Sequence, residues 1–89
     1  MILLVAYHPR AHGIQKAELY EALKEAPNWM HYIPGCWLIV SEEEPETWVD
    51  RLRPFLGDSS CFIVHITEEY QGLLPDRAWA WLDRHRDET

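Results

Sequence analysis

His8 and His12 stand close together in a polar stretch, and imidazole is the side chain whose unperturbed titration falls near neutral pH. One ring taking a proton while another gives one is the chemistry of metal-free RNA cleavage, so these two are the candidate catalytic residues. The spacing by itself does not specify that role. His65 is a third imidazole, set in an apolar run of strand type. If the first and last strands are antiparallel neighbours, His8 and His65 fall at opposite ends of their shared ladder, which argues against an intrachain metal site. Cys36 and Cys61 each sit alone among apolar residues with no Cys-x-x-Cys spacing, so they read as buried thiols rather than as a metal or redox pair. No metal and no cofactor is expected.

The remaining candidates have ordinary explanations. Glu42, Glu43 and Glu44 suit the positive end of a helix macrodipole, Glu68 and Glu69 follow the last strand as surface acids, and Ser59 with Ser60 lacks a nucleophile-elbow sequence. Trp29, Trp37, Trp48, Trp79, Trp81, Tyr20 and Tyr32 offer faces on which bases stack, yet each falls in a helix or strand pattern that a small core needs.

Partners are bounded by charge. Eight Lys and Arg against fifteen Asp and Glu leave a formal charge of -7, which opposes binding to phosphate backbones. Arg51 with Arg53 and Arg84 with Arg86 are the best basic patches. Both are interleaved with Asp50, Asp83 and Asp87, the pattern of a solvated helix face.

The elements that would carry these residues follow from patterning. Ile2 to Tyr7 is a continuous apolar run ended by His8-Pro9, as in a strand buried on both faces. Ile14 to Ala26 repeats Ala17, Leu19, Tyr20, Leu23 and Ala26 at helical spacing and stops at Pro27-Asn28. Trp29 to Val40 is a hairpin around Pro34-Gly35. Ser41 and Glu44 match a capping box for a second helix presenting Trp48, Leu52 and Phe55 or Leu56, which Pro54 must kink or end. Cys61 to Ile66 is the fourth strand. Pro75 then precedes Ala78, Trp79, Trp81 and Leu82, a short helix that should dock by its tryptophans.

The order strand, helix, strand, strand, helix, strand, helix matches an α+β domain of ferredoxin-like βαββαβ plan with an antiparallel sheet and an added C-terminal helix, spanning residues 1–89 as one domain. The hairpin would form the centre of that sheet. Strand alternation makes both faces apolar: Leu3, Val5 and Tyr7 oppose Ile2, Leu4 and Ala6. Two helices cover one face, so the other must meet the terminal helix, another subunit, or both. A homodimer packed partly through its sheets is expected, the more so because 89 residues make a marginal core. Met1 to Ala6 is too short to span a bilayer, and the expected setting is cytoplasmic.

Tyr7 ending strand one, Trp29 and His31 in strand two, Gly35-Cys36-Trp37 opening strand three, Phe62 and Val64 in strand four, and Leu74-Pro75 before Ala78 to Leu82 together resemble the SinR-like family of small bacterial proteins. That family is similar to the CRISPR-associated Cas-two and VapD proteins, which implies a ferredoxin-like homodimer linked to nucleic-acid processing. The resemblance also implies an Asp directly after the strand-one Tyr, where two carboxylates across a dimer would hold a divalent metal. Here that position is His8. A neutral imidazole is a poor ligand for a hard cation, so magnesium-dependent nuclease activity is not expected. The reading is a non-catalytic or catalytically degenerate interaction protein, with a protein partner favoured over nucleic acid by its acidity. The alternatives are a Cas-two-like or VapD-like ribonuclease using His8 and His12, and an acidic mimic of nucleic acid.

Overall fold

A computed structural model describes residues 1–86; Asp87, named above among the acids near Arg84 and Arg86, lies outside them. The chain runs β1 (Ile2–Tyr7), α1 (Lys16–Leu23), β2 (Asn28–Ile33), β3 (Cys36–Val40), α2 (Pro45–Leu52), a 3-10 turn (Arg53–Phe55), β4 (Cys61–Ile66) and α3 (Asp76–Arg86). It is a small α+β structure: one four-stranded sheet in the order β2-β3-β1-β4, every neighbouring pair antiparallel. The hairpin does not form the centre of this sheet. Its second arm, β3, pairs with β1 in the interior, whereas β2 is an edge strand and β4 is the other edge.

Pro34 and Gly35 make the hairpin turn, with Gly35 at φ +77, where a side chain is strained. The carbonyl of Gly35 accepts from the Tyr7 amide at 2.8 Å, and a Cβ on Gly35 would run into the Tyr7 carbonyl oxygen and the Pro9 ring. The turn is thereby pressed onto the end of β1.

Two helix starts differ from the pattern-based expectation. Ile14 and Gln15 stay outside α1 because Gln15 donates its amide to Phe55 O at 2.9 Å, tying this segment to the 3-10 turn before the helix begins. The Ser41–Glu44 capping box does not form. Glu44 is itself the N-cap of α2, without a side-chain cap bond, and Pro45 takes the first helical position, where a missing N–H costs nothing. The Ser41 hydroxyl instead accepts from the Glu43 amide at 2.9 Å and from the buried Trp48 indole at 2.8 Å. Pro54 ends α2 as expected, by way of the 3-10 turn.

Two apolar layers enclose the sheet. On one face Leu3, Val5, Tyr7, Trp37 and Ile39 pack under Leu19, Leu23, Trp48 and Leu52 of α1 and α2. On the other, Ile2 and Met30 pack with Ala78, Trp81 and Leu82 of α3. Burial on this second side is incomplete, and that determines which surface is left for function.

Candidate functional site

The loop after β1 and the loop before β4 meet at one end of the sheet and enclose a shallow cleft. His8, Arg10, His12, Asp58, Ser59 and Phe62 are among its walls. Tight backbone contacts hold it: the Asp58 amide donates to His12 O at 2.9 Å, and the His8 amide donates to Ser59 Oγ at 2.8 Å. Ser59 Oγ passes its own hydrogen to Ser60 O at 2.6 Å, so this hydroxyl is occupied as both donor and acceptor. Ser59 and Ser60 are loop-closing residues here, as their sequence context implies.

Both candidate histidines are exposed in this cleft. His8 Nδ1 accepts from the Arg10 amide at 3.1 Å, which leaves Nε2 as the ring nitrogen able to act on a substrate. His65 is elsewhere. It pairs with Leu3 in the β1–β4 ladder, whereas Tyr7, the residue before His8, pairs with Cys61 at the other end. Among the described residues, no three His, Cys, Asp or Glu side chains gather as metal ligands. Glu68 and Glu69 are exposed in the loop that follows β4.

The two cysteines lie on opposite faces of the sheet, because Cys36 is opposite Ala6 and Cys61 is opposite Tyr7. Both are half-buried rather than fully buried, and desolvation raises each thiol above its ordinary range, so neither is an activated thiolate. The first basic pair is partly neutralised: Arg51 meets Glu43, and Arg53 lies 3.5 Å from Asp50.

Aromatic residues divide. Trp37, Trp48 and Trp81 are core residues, as expected. Trp29 and Tyr32 are not; they are 39% and 38% exposed, because β2 is an edge strand with an irregular register between Met30 and Ile33. Tyr20 and His31 complete a ring cluster around Trp37, with His31 stacked on the indole at 4.1 Å.

A separate surface feature is the second face of the sheet. Its residues form three rows across β4, β1, β3 and β2: Ile66, Ile2, Val40 and Asn28; then Val64, Leu4, Leu38 and Met30; then Phe62, Ala6, Cys36 and Ile33. Eleven of these twelve are apolar, and the twelfth, Asn28, accepts from the Trp81 indole at 2.9 Å. Helix α3 lies over the first row. The last row is bare, with Phe62 67% and Ile33 50% exposed. Between them a groove of about 250 Å³ opens, walled by Leu4, Cys36, Leu38, Tyr70 and Trp79, with the fully exposed Leu73 beside it. Patterning identified the two-faced strands but not this groove, whose far wall is the irregular segment 70–74. Leu73-Leu74 in an otherwise polar stretch was the available signal.

Comparison with protein-family models, with characterised proteins and with solved structures returns no match.

Proposed function

We propose that this protein is a non-catalytic association module of ferredoxin-like type, working as a homodimer through the bare end of its second sheet face. One observation carries the reading: Phe62, Val64, Ile33 and Leu73 are all exposed on or beside a single apolar surface. Contiguous apolar surface of this kind marks a contact, and a small domain gains most by covering it. The chain's charge of -7 favours contact through an apolar surface and disfavours phosphate backbones. The resemblance to SinR-like and Cas-two-like proteins accords with a catalytically degenerate member, since His8 stands where a metal-binding Asp would be needed. A cytoplasmic setting fits the reading; no helix among the described residues is long and apolar enough to cross a membrane.

Sedimentation equilibrium at micromolar concentration tests the association. A dimer is expected for the wild type and a folded monomer for Phe62→Glu; a monodisperse wild-type monomer overturns the proposal.

A second reading has its own support, because His8 and His12 line one cleft together with Arg10. Two imidazoles and a guanidinium are the groups that metal-free RNA cleavage uses. Its test is cleavage of single-stranded RNA in chelator. Cleavage by the wild type that is lost in the His8→Ala/His12→Ala double variant supports a ribonuclease, and no cleavage by the wild type rejects it.

A further inference from the structure

We infer that the dimer is a reciprocal knob-and-groove contact in which Phe62 of each copy seats in the Cys36 end of the other's groove. This rests on the association proposed above and specifies its geometry. The row Phe62, Ala6, Cys36, Ile33 has a bulky residue at each end and two small ones between, so it forms a trough flanked by ridges. Phe62 is the most exposed residue of that row, and no element among the described residues covers it. The groove that begins at Cys36 has about 250 Å³ of space, more than the ~150 Å³ in which an apolar protein cavity takes up benzene.

Knob and groove lie on the same face of the same chain, Phe62 on β4 and Cys36 on β3 with β1 between them. Two strand spacings separate them by roughly 10 Å, so Phe62 cannot fill its own groove. A second copy turned about a two-fold axis can, and the symmetry then provides the contact twice. Charge selects the same occupant. Among the described residues neither the three rows nor the groove walls hold an Asp, Glu, Lys or Arg, and the charges stacked on the groove's rings are the cations Arg77 over Tyr32 and Arg86 over Tyr70, so a copy of this acidic chain meets no carboxylate there and is not repelled.

Cys36 makes the geometry testable. In Phe62→Cys the introduced thiol should form a disulfide with Cys36 of a second chain. Within one chain the bond is excluded, because roughly 10 Å between the strands exceeds the ~7 Å Cα limit for a disulfide. Mild oxidation of a mixture of isotopically light and heavy protein, followed by peptide mapping, should give mixed-label peptides joining positions 62 and 36, absent when Cys36→Ser is added.

A second measurement leaves Phe62 in place. Alkylation of wild-type Cys36 by iodoacetamide should slow several-fold as protein concentration rises through the dimer's dissociation constant, while Cys61, on the opposite face, is unaffected. Phe62→Ala should weaken the dimer by about thirtyfold, the effect of losing a central aromatic anchor.

A dimer in sedimentation that shows no 62–36 link and no protection of Cys36 overturns this geometry and leaves the association standing. A wild-type monomer overturns both. A small apolar molecule retained in the groove in native mass spectrometry, with the chain monomeric, also overturns both by naming a different occupant.

Discussion

The Trp37 indole donates to the Tyr7 hydroxyl at 3.0 Å inside the core, with both residues at most 9% exposed. The bond joins β3 to β1 beneath α1, at the end of the sheet from which the loop carrying His8 departs. It satisfies a donor that water cannot reach, and it places the Tyr7 oxygen where no bulk solvent solvates a phenolate.

Tyr7→Phe keeps the ring and removes the acceptor. The buried Trp37 N–H is then unpaired, a loss of about 1–3 kcal/mol. Urea unfolding followed by far-UV circular dichroism should show a lower midpoint with an unchanged slope. An unchanged midpoint would mean that the indole finds water or another acceptor.

The same residue sets an alkaline limit. Burial, with smaller contributions from Tyr20 and Cys36 and opposed by the Trp37 bond, pushes the Tyr7 hydroxyl from 10.0 up to about 12. The folded state therefore keeps a proton that the unfolded chain has already released. Its contribution to stability is complete below pH 10 and is lost as pH rises toward 12. Stability curves at pH 9 and pH 11.5 should converge for Tyr7→Phe relative to wild type.

His31 behaves oppositely. Burial first, then the positive charges of Lys16 and Lys24, lower its pKa below the ordinary 6.5, so the fold favours the neutral ring stacked on Trp37. The unfolded chain takes up the proton more readily. This contribution is present above pH 6.5 and falls away as the solution is acidified through the folded pKa. His31→Phe should flatten the decline in stability between pH 7 and pH 5, read by thermal unfolding, and an equal decline in both proteins would place its origin elsewhere.

What patterning could and could not reveal is instructive at these residues. Leu3, Val5 and Tyr7 alternate with Ile2, Leu4 and Ala6, and period two alone assigns them to opposite faces, as the two apolar layers confirm. Edge and centre are decided by non-local pairing, so Trp29 and Tyr32 carried the same local signal as Trp37 yet remain exposed on β2. Ser41 was recognisable as a residue that bonds backbone near a helix start, but the competing acceptor demand of the Trp48 indole is tertiary. The His8–His12 cleft needed the partnering loop 56–60, and nothing in the spacing of the histidines shows that Asp58 and Ser59 close on them.

Ser41 unites three segments. Its hydroxyl accepts from Trp48 Nε1 and the Glu43 amide, its amide donates to Met1 O at 2.9 Å, and its carbonyl accepts from the Met1 amino group at 2.9 Å. Ser41→Ala leaves the backbone bonds and strands the buried indole N–H, so a loss of about 1–3 kcal/mol is expected. A lower urea midpoint would register the loss, and wild-type stability would show that the hydroxyl is dispensable.

Glycine substitutions separate backbone strain from steric conflict around the histidine cleft. Gly57 has φ +58, and a Cβ there would meet the backbone of Gly13, His12 and Ile14. Gly57→Ala must therefore both hold an unfavourable dihedral and push the His12 loop away from Asp58. Gly13 also has positive φ, +80, but its Cβ would meet Gly57 Cα at an ordinary 3.5 Å. Gly13→Ala incurs the dihedral term alone, about 1–2 kcal/mol, and Gly72→Ala meets nothing within 4 Å and serves as the neutral control. The expected order of stability is Gly72→Ala, Gly13→Ala, Gly57→Ala, with the imidazole resonances of His8 and His12 displaced most in the last. Equal losses for Gly13→Ala and Gly57→Ala, with unmoved imidazoles, would show that the two loops are not clamped on each other.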